Sequence, residues 1–332
     1  MRAVVRERYG DSSVLQVVQR ADPPAPVRDQ VLVEVGTAGV NMADWHLMTG
    51  LPSVARLVFG VRAPREHGLG RDLAGVVRAV GPEVASLRPG DAVLGTAPAA
   101  FAELALTRER ALARIPDGVR PEHAAAVPTA GATALHALRA ARVGQGSRLL
   151  VLGAGGGVGS LAVRLAVLAG ARVTAATSPG KAATVRALGP ESVVDRSDRS
   201  AWGTGYDGVV VTGGLDPLRD LRRLLAPRGA LALVGAEGGG DVLGGGTTRQ
   251  LRAALLSPFV RQRLVGVVSR DDPAALARLC ELLADGSLVP AVERVLPLEG
   301  VAEAIDHLAS GAARGKVLLG VSSPAAGPSA AG

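Results

Sequence analysis

Four apolar residues, Leu149-Leu150-Val151-Leu152, run directly into Gly153-Ala154-Gly155-Gly156-Gly157-Val158-Gly159, and a helix-forming stretch follows at once. A buried strand that turns within a few glycines into a helix leaves few architectures open. The glycines permit a tight turn and bring backbone N–H groups close to a bound anion, which then lies on the positive end of the helix. In a chain with 44 glycines, a plain glycine-rich turn is the alternative. Context separates the two, because the motif informs only between a strand and a helix. Both are expected here, with another strand at 172–176. The stretch therefore reads as a dinucleotide-binding loop. Ala154, Gly155, Gly156, Gly157, Val158 and Gly159 are the candidate cradle for a pyrophosphate.

The same texture extends along the chain. Strands are expected at 148–152, 172–176, 192–194, 208–211 and 230–234, and helices at 157–169, 181–188 and 216–225. Such alternation builds βαβ units on a parallel sheet, a doubly wound α/β fold. An Ala-rich helix beginning near Pro121 opens this region. Before it, β-branched runs at 2–6, 30–36, 74–80, 92–94 and 100–106 end at Gly, Pro or Asp and predict a mostly β region, with one short helix near 41–48. The glycine-rich run 238–246, divided only by Asp241, Val242 and Leu243, reads either as a linker or as a mobile lid. The Ser/Pro/Ala/Gly tail 322–332 is expected to be disordered.

The end of the second strand selects the cofactor. NAD enzymes place Asp or Glu there, roughly 20 residues beyond the glycines, to hold the ribose hydroxyls. Here the chain reads Thr177-Ser178-Pro179-Gly180-Lys181, without an acid, and Arg196 follows the next strand. Cations and hydroxyls hold a 2′-phosphate, whereas a carboxylate repels it. Thr177, Ser178, Lys181 and Arg196 therefore point to NADPH. Ordinary surface charge is the bland alternative for Lys181 and Arg196.

Composition removes several other classes. The 332 residues are enough for two cores. No apolar run approaches the roughly 20 residues of a membrane span, and the first residues lack a signal-peptide pattern. The one cysteine excludes an internal disulfide. A cytoplasmic protein is expected. The net charge of +7 is carried by scattered arginines, and 3 Phe, 2 Tyr and 2 Trp leave little to stack on bases, so no nucleic-acid partner is expected.

Motifs across nearly the whole chain resemble the zinc-free, quinone oxidoreductase-like branch of the medium-chain dehydrogenase/reductase superfamily. They include Gly39-Val40-Asn41-Met42-Ala43-Asp44-Trp45, Gly70-Arg71-Asp72-Leu73-Ala74-Gly75, Arg88-Pro89-Gly90-Asp91-Ala92-Val93, the segment from Ala124 to Ala134, the glycine loop, and Arg314-Gly315-Lys316-Val317. The stretch from Ser257 to Leu264 is similar to a subgroup described as NAD(P)-dependent alcohol dehydrogenases. The resemblance implies a Rossmann sheet (121–267) inserted into a GroES-like, mostly β substrate domain (1–120 and 268–321). It also implies a homodimer paired through the edge strand at 263–268.

The resemblance extends to chemistry. Zinc alcohol dehydrogenases carry Cys where Asn41 stands and His where Arg71 stands, and neither substitute is a usual ligand, so no metal is expected. Asn41, His46 and Thr129 become the candidate catalytic residues, and Lys316 joins the cofactor-binding set. Asp44 and Asp72 read as loop braces. The branch of enoyl thioester reductases that places a Tyr after the Asn-x-x-Asp motif is not matched, because no Tyr occurs between Tyr9 and Tyr206. Trp45, Met48, Leu51, Leu255 and Phe259 are expected to line an apolar pocket for a small apolar substrate. The implied activity is NADPH-dependent, zinc-independent hydride transfer to a quinone, enone or aldehyde. An accessory enoyl reductase and a non-catalytic NADPH-binding regulator are the alternatives.

Overall fold

The computed structural model describes residues 1–235 and 245–322. Its centre is a six-stranded, wholly parallel sheet. Strand Arg148–Leu152 lies in the middle, between Arg172–Thr177 and Tyr206–Val211. Ser192–Asp195 closes one side, and Leu225–Val234 then Arg263–Val267 extend the other. In chain order this is 3-2-1-4-5-6, the doubly wound Rossmann arrangement expected from the sequence. The order reverses beside the first strand, and ligands of such sheets bind at that switch point, beyond the carboxyl ends of the strands.

Alternation within the strands explains the layers. Leu149 and Val151 face one core with helices Pro128–Ala140, Gly157–Leu168 and Pro273–Ala284. Leu150 and Leu152 face the opposite core, with Leu221, Trp202 and Ala253. All four strand residues are buried because both faces of the sheet are covered.

The second sheet has seven strands. Gln30–Gly39 is its spine, antiparallel to Asp72–Val80 and to Leu104–Arg108. Near the chain's end, Lys316–Gly320 pairs antiparallel with that spine, and Val292–Pro297 adds outside it in parallel. This return sets Lys316 beside the residues that follow Gly39. Helix Met42–Thr49 starts there and packs its apolar side on the sheet's core.

Several boundaries differ from the sequence reading, two of them for clear local reasons. The strand expected over 100–106 is Leu104–Arg108, because the chain before it is tied to the N-terminal strand through Val4 N–H to the Phe101 carbonyl. The helix expected over 216–225 shortens to Leu218–Arg223: Pro217 caps it, and Leu225 already begins the next strand. Of the run expected as a lid, 238–244 lies outside the described residues, and Gly245 and Gly246 open helix Gly245–Leu256. The tail expected to be disordered lies outside the described residues from 323 onward. No described helix is long and apolar enough to cross a membrane.

Candidate functional site

The glycine loop closes tightly. A side chain at Gly159 would overlap the Gly153 carbonyl oxygen, and a Cβ at Gly155 would lie 2.5 Å from the Thr177 hydroxyl. The loop is pinned to the second strand, since the amides of Gly153 and Ala154 both donate to the Ala176 carbonyl at 3.1 Å. Helix Gly157–Leu168 begins immediately, with Gly156 as its cap. Ala154 is buried in the core, whereas Gly155 and Gly156 border an open space beside the loop.

That space is a cavity of ≈ 650 Å³ at the switch point. Thr177, Ser178, Lys181 and Arg196, all expected from the sequence, line it together with Arg199, Asp195 and Asp216. Asp216 is nearly buried and organises the basic side: it accepts from Arg199 Nη2 at 2.6 Å and also from Arg196 Nη2. Both guanidinium groups lie over the Trp202 ring, at 4.6 and 5.7 Å from its centroid. Stacking of this kind fixes an arginine's plane without removing its charge. Lys181 donates to the Gly311 carbonyl at 2.7 Å, and partial burial holds its ammonium below the usual lysine value. Three cations thus face two carboxylates.

Arg199, Trp202 and Asp216 were not singled out by sequence reasoning. The available signal was Asp216's position just after the fourth strand, where doubly wound sheets present ligand-binding residues.

A second polar cluster lies where the two sheets meet. Asp72 is fully buried. It accepts from Asn41 Nδ2 at 3.0 Å, from the Thr129 amide at 3.0 Å and from the Thr129 hydroxyl. Lys316 is also buried. Its Nζ donates to Asn41 Oδ1 at 2.7 Å and to the Val40 carbonyl at 3.1 Å, and lies 3.7 Å from Asp72. Burial lowers the Lys316 ammonium, while Asp72 and Asp44 oppose that shift. Asp44 accepts from the Asn41 backbone N–H at 2.8 Å, but among the described residues its other oxygen has no hydrogen-bond partner. Burial pushes its carboxyl up to about 7.

This geometry revises several expectations. Lys316 was expected to hold cofactor; instead its ammonium turns inward, onto Asn41 and Val40, because those acceptors lie at its own strand end. The Asn41 amide is bonded at both ends, to Lys316 and to Asp72. Met48 does not line a pocket: it is 1% exposed and packs in the core. Leu255 is 65% exposed because helix Gly245–Leu256 buries its Gly246, Arg249 and Ala253 face, and Phe259, in the turn Ser257–Phe259 beyond that helix, is 85% exposed. Trp45, His46 and Leu51 are half-buried and stay together. The Trp45 and His46 rings meet edge to face at 5.0 Å, and His46 Nδ1 lies 2.7 Å from the Leu51 carbonyl. Burial lowers the His46 imidazole. Val158 is half-buried and packs against the core beneath the loop.

Thr129 also lines a small cavity between the sheets, with Thr96, Ala132 and the turn Ser269-Arg270-Asp271-Asp272. Asp271 closes one side, accepting from Arg71 Nη2 at 3.0 Å and from the Thr96 hydroxyl at 2.9 Å.

The residues fit a nicotinamide dinucleotide, with an approachable glycine loop on a helix N-terminus and a basic cavity beside it. They do not fit zinc. At the position of Asn41 a metal ion would meet the Lys316 ammonium, and Arg71 adds a second cation. Among the described residues, no three His, Cys, Asp or Glu side chains form a metal-holding group.

Residues 27–117 match the family described as alcohol dehydrogenase GroES-like domain, and residues 188–319 match zinc-binding dehydrogenase. A 186-residue stretch, 54% of this chain, is 43% identical to erythronolide synthase EryA2 of Saccharopolyspora erythraea, of which it spans 5%. The 2-methylene-furan-3-one reductase of Solanum lycopersicum is 28% identical over 96% of this chain and 79% of its own length. The solved quinone oxidoreductase of Coxiella burnetii superposes with a TM-score of 0.85 at 26% identity, covering 97% of this chain and 99% of that one.

Proposed function

Because the chain belongs to the quinone oxidoreductase-like branch of the medium-chain dehydrogenase/reductase superfamily, we propose that it is an NADPH-dependent, zinc-independent reductase. Its acceptor is a conjugated or carbonyl compound: a quinone, an enone or an aldehyde. One observation carries the reading. Lys181, Arg196 and Arg199 converge with Thr177 and Ser178 on the cavity beside the glycine loop, and the end of the second strand bears no acid. A 2′-phosphate gains charge-assisted hydrogen bonds from such a set.

When bound, the cofactor supplies the hydride. The protein's share is to hold, orient and shield. The glycine loop and its helix N-terminus hold the pyrophosphate. Thr129, at the small cavity between the sheets, orients what lies against it. The proton for the reduced acceptor comes from solvent in this reading, and His46 illustrates why. Its Nδ1 faces a carbonyl, which can only accept, so Nδ1 carries the hydrogen and a neutral ring presents a lone pair at Nε2. Burial lowers this imidazole and keeps it neutral near pH 7.

The identity to part of an erythronolide synthase favours a second reading, in which the acceptor is an enoyl group on a biosynthetic chain. One assay separates the readings. NADPH oxidation is followed with a quinone, an enone, an aldehyde and an enoyl thioester. Turnover of any of the first three supports the leading reading, and selectivity for the thioester supports the second. Saturable binding without turnover of any acceptor contradicts both.

A further inference from the structure

We propose that Lys316 is a positioning residue: through Asn41 and Asp72 it fixes the Thr129 hydroxyl as a hydrogen-bond acceptor toward the cavity between the two sheets. The inference rests on the nicotinamide-cofactor reading above.

The donor and acceptor roles follow one another along the cluster. A lysine ammonium can only donate, so the Asn41 atom 2.7 Å from it is the amide oxygen. The Asn41 nitrogen must then face the other way, and it donates to Asp72 at 3.0 Å. Every group around the Asp72 carboxylate is a donor: the Asn41 amide, the Thr129 backbone N–H, the Thr129 hydroxyl and the more distant Lys316 ammonium. The Thr129 hydrogen therefore points at Asp72, and only lone pairs remain for the cavity that Thr129 lines. A ligand group seated there must bring a donor, such as an amide NH2 or a hydroxyl.

Lys316 also lies against the glycine loop. A Cβ placed on Gly157 would be 3.1 Å from Lys316 Cδ. The same side chain thus runs close to the first residue of the helix after the glycine loop and bonds the far end of the hydrogen-bond chain that orients Thr129. It enters from the last strand, whereas Asn41 and Asp72 come from the first part of that sheet and Thr129 from helix Pro128–Ala140.

Binding of NADPH, read by fluorescence without any acceptor, tests this. Lys316→Met and Thr129→Val are each expected to weaken binding by about five- to tenfold, the scale of one hydrogen bond. The double variant should bind no more weakly than Thr129→Val alone, and Thr129→Ser should bind as the native protein does. Multiplied losses in the double variant would mean that Lys316 acts independently and would overturn the proposal, as would native affinity in Thr129→Val. If Lys316→Met does not fold, the charge-removing pair Asp72→Asn with Lys316→Met takes its place in the same cycle. No saturable signal in the native protein would sink the cofactor reading itself, whereas a saturable signal with independent losses sinks only this inference.

Discussion

The cofactor cavity and the polar cluster between the sheets both rest on a buried aspartate, yet they use it in opposite ways. At the cavity, Asp216 holds Arg196 and Arg199, whose side chains are still 23% and 57% exposed. One carboxylate organises two guanidinium groups, and positive charge is left facing the opening. In the cluster, Asp72 and Lys316 are both closed off from solvent, and their neighbours engage them almost completely. The first arrangement is prepared to receive an anion. The second leaves neither Asp72 nor Lys316 open to solvent, and its charges hold a geometry. Charge at a site is therefore a poor guide to its role unless the remaining, unpaired part of that charge is followed to the surface.

The sharpest way to break the comparison is to close the receiving end. Gly159→Ala places a methyl group against the Gly153 carbonyl oxygen, which is backbone and cannot swing aside. NADPH affinity should fall by roughly 100-fold, about 2.7 kcal/mol, in a fluorescence titration. None of the cluster's hydrogen bonds involves Gly153 or Gly159, so the variant's melting profile should stay cooperative. Binding within a few-fold of native would show that the loop is not the pyrophosphate cradle.

The cluster has its own handle in Asp44. Its folded-state value is raised from 3.8 to about 7 by burial. The folded protein therefore binds more protons than the unfolded chain between these values, and this group's contribution to stability falls as pH rises through that window. The loss between pH 5 and pH 8 is on the order of 2 kcal/mol. Asp44→Asn keeps an acceptor for the Asn41 backbone N–H but removes the titration, so its melting temperature should vary less over the same range. An unchanged pH profile would mean that Asp44 is hydrated or paired in solution.

The two regions were not equally legible in the sequence. The parallel sheet was, because its strands are continuous apolar runs flanked by glycine turns, and Arg148–Leu152 falls where its pattern predicts. Thr177, Ser178, Lys181 and Arg196 were legible because a strand end fixes where its next few residues can go. Facing direction was not. Met48 and Trp45 share one short helix, and only the packing of that helix on the sheet decides that Met48 goes inside. Leu255 and Phe259 follow a helical spacing, yet the buried face of that helix is set by small Ala253 and by Arg249. The direction of Lys316 was hidden for a related reason. Its motif implied a place near the glycine loop, where it lies, but its charge is drawn to acceptors some 275 residues away in sequence. Asp216 joins Arg196 and Arg199 across turns that no periodicity describes.

The most direct measurement of the central claim is the ratio of dissociation constants for NADPH and NADH in the native protein and in Lys181→Glu. With three cations facing two carboxylates at the cavity, NADPH should bind the native protein at least about tenfold more tightly, some 1.4 kcal/mol. The glutamate variant should narrow or invert that preference. Equal affinities for the two cofactors in the native protein would contradict the account.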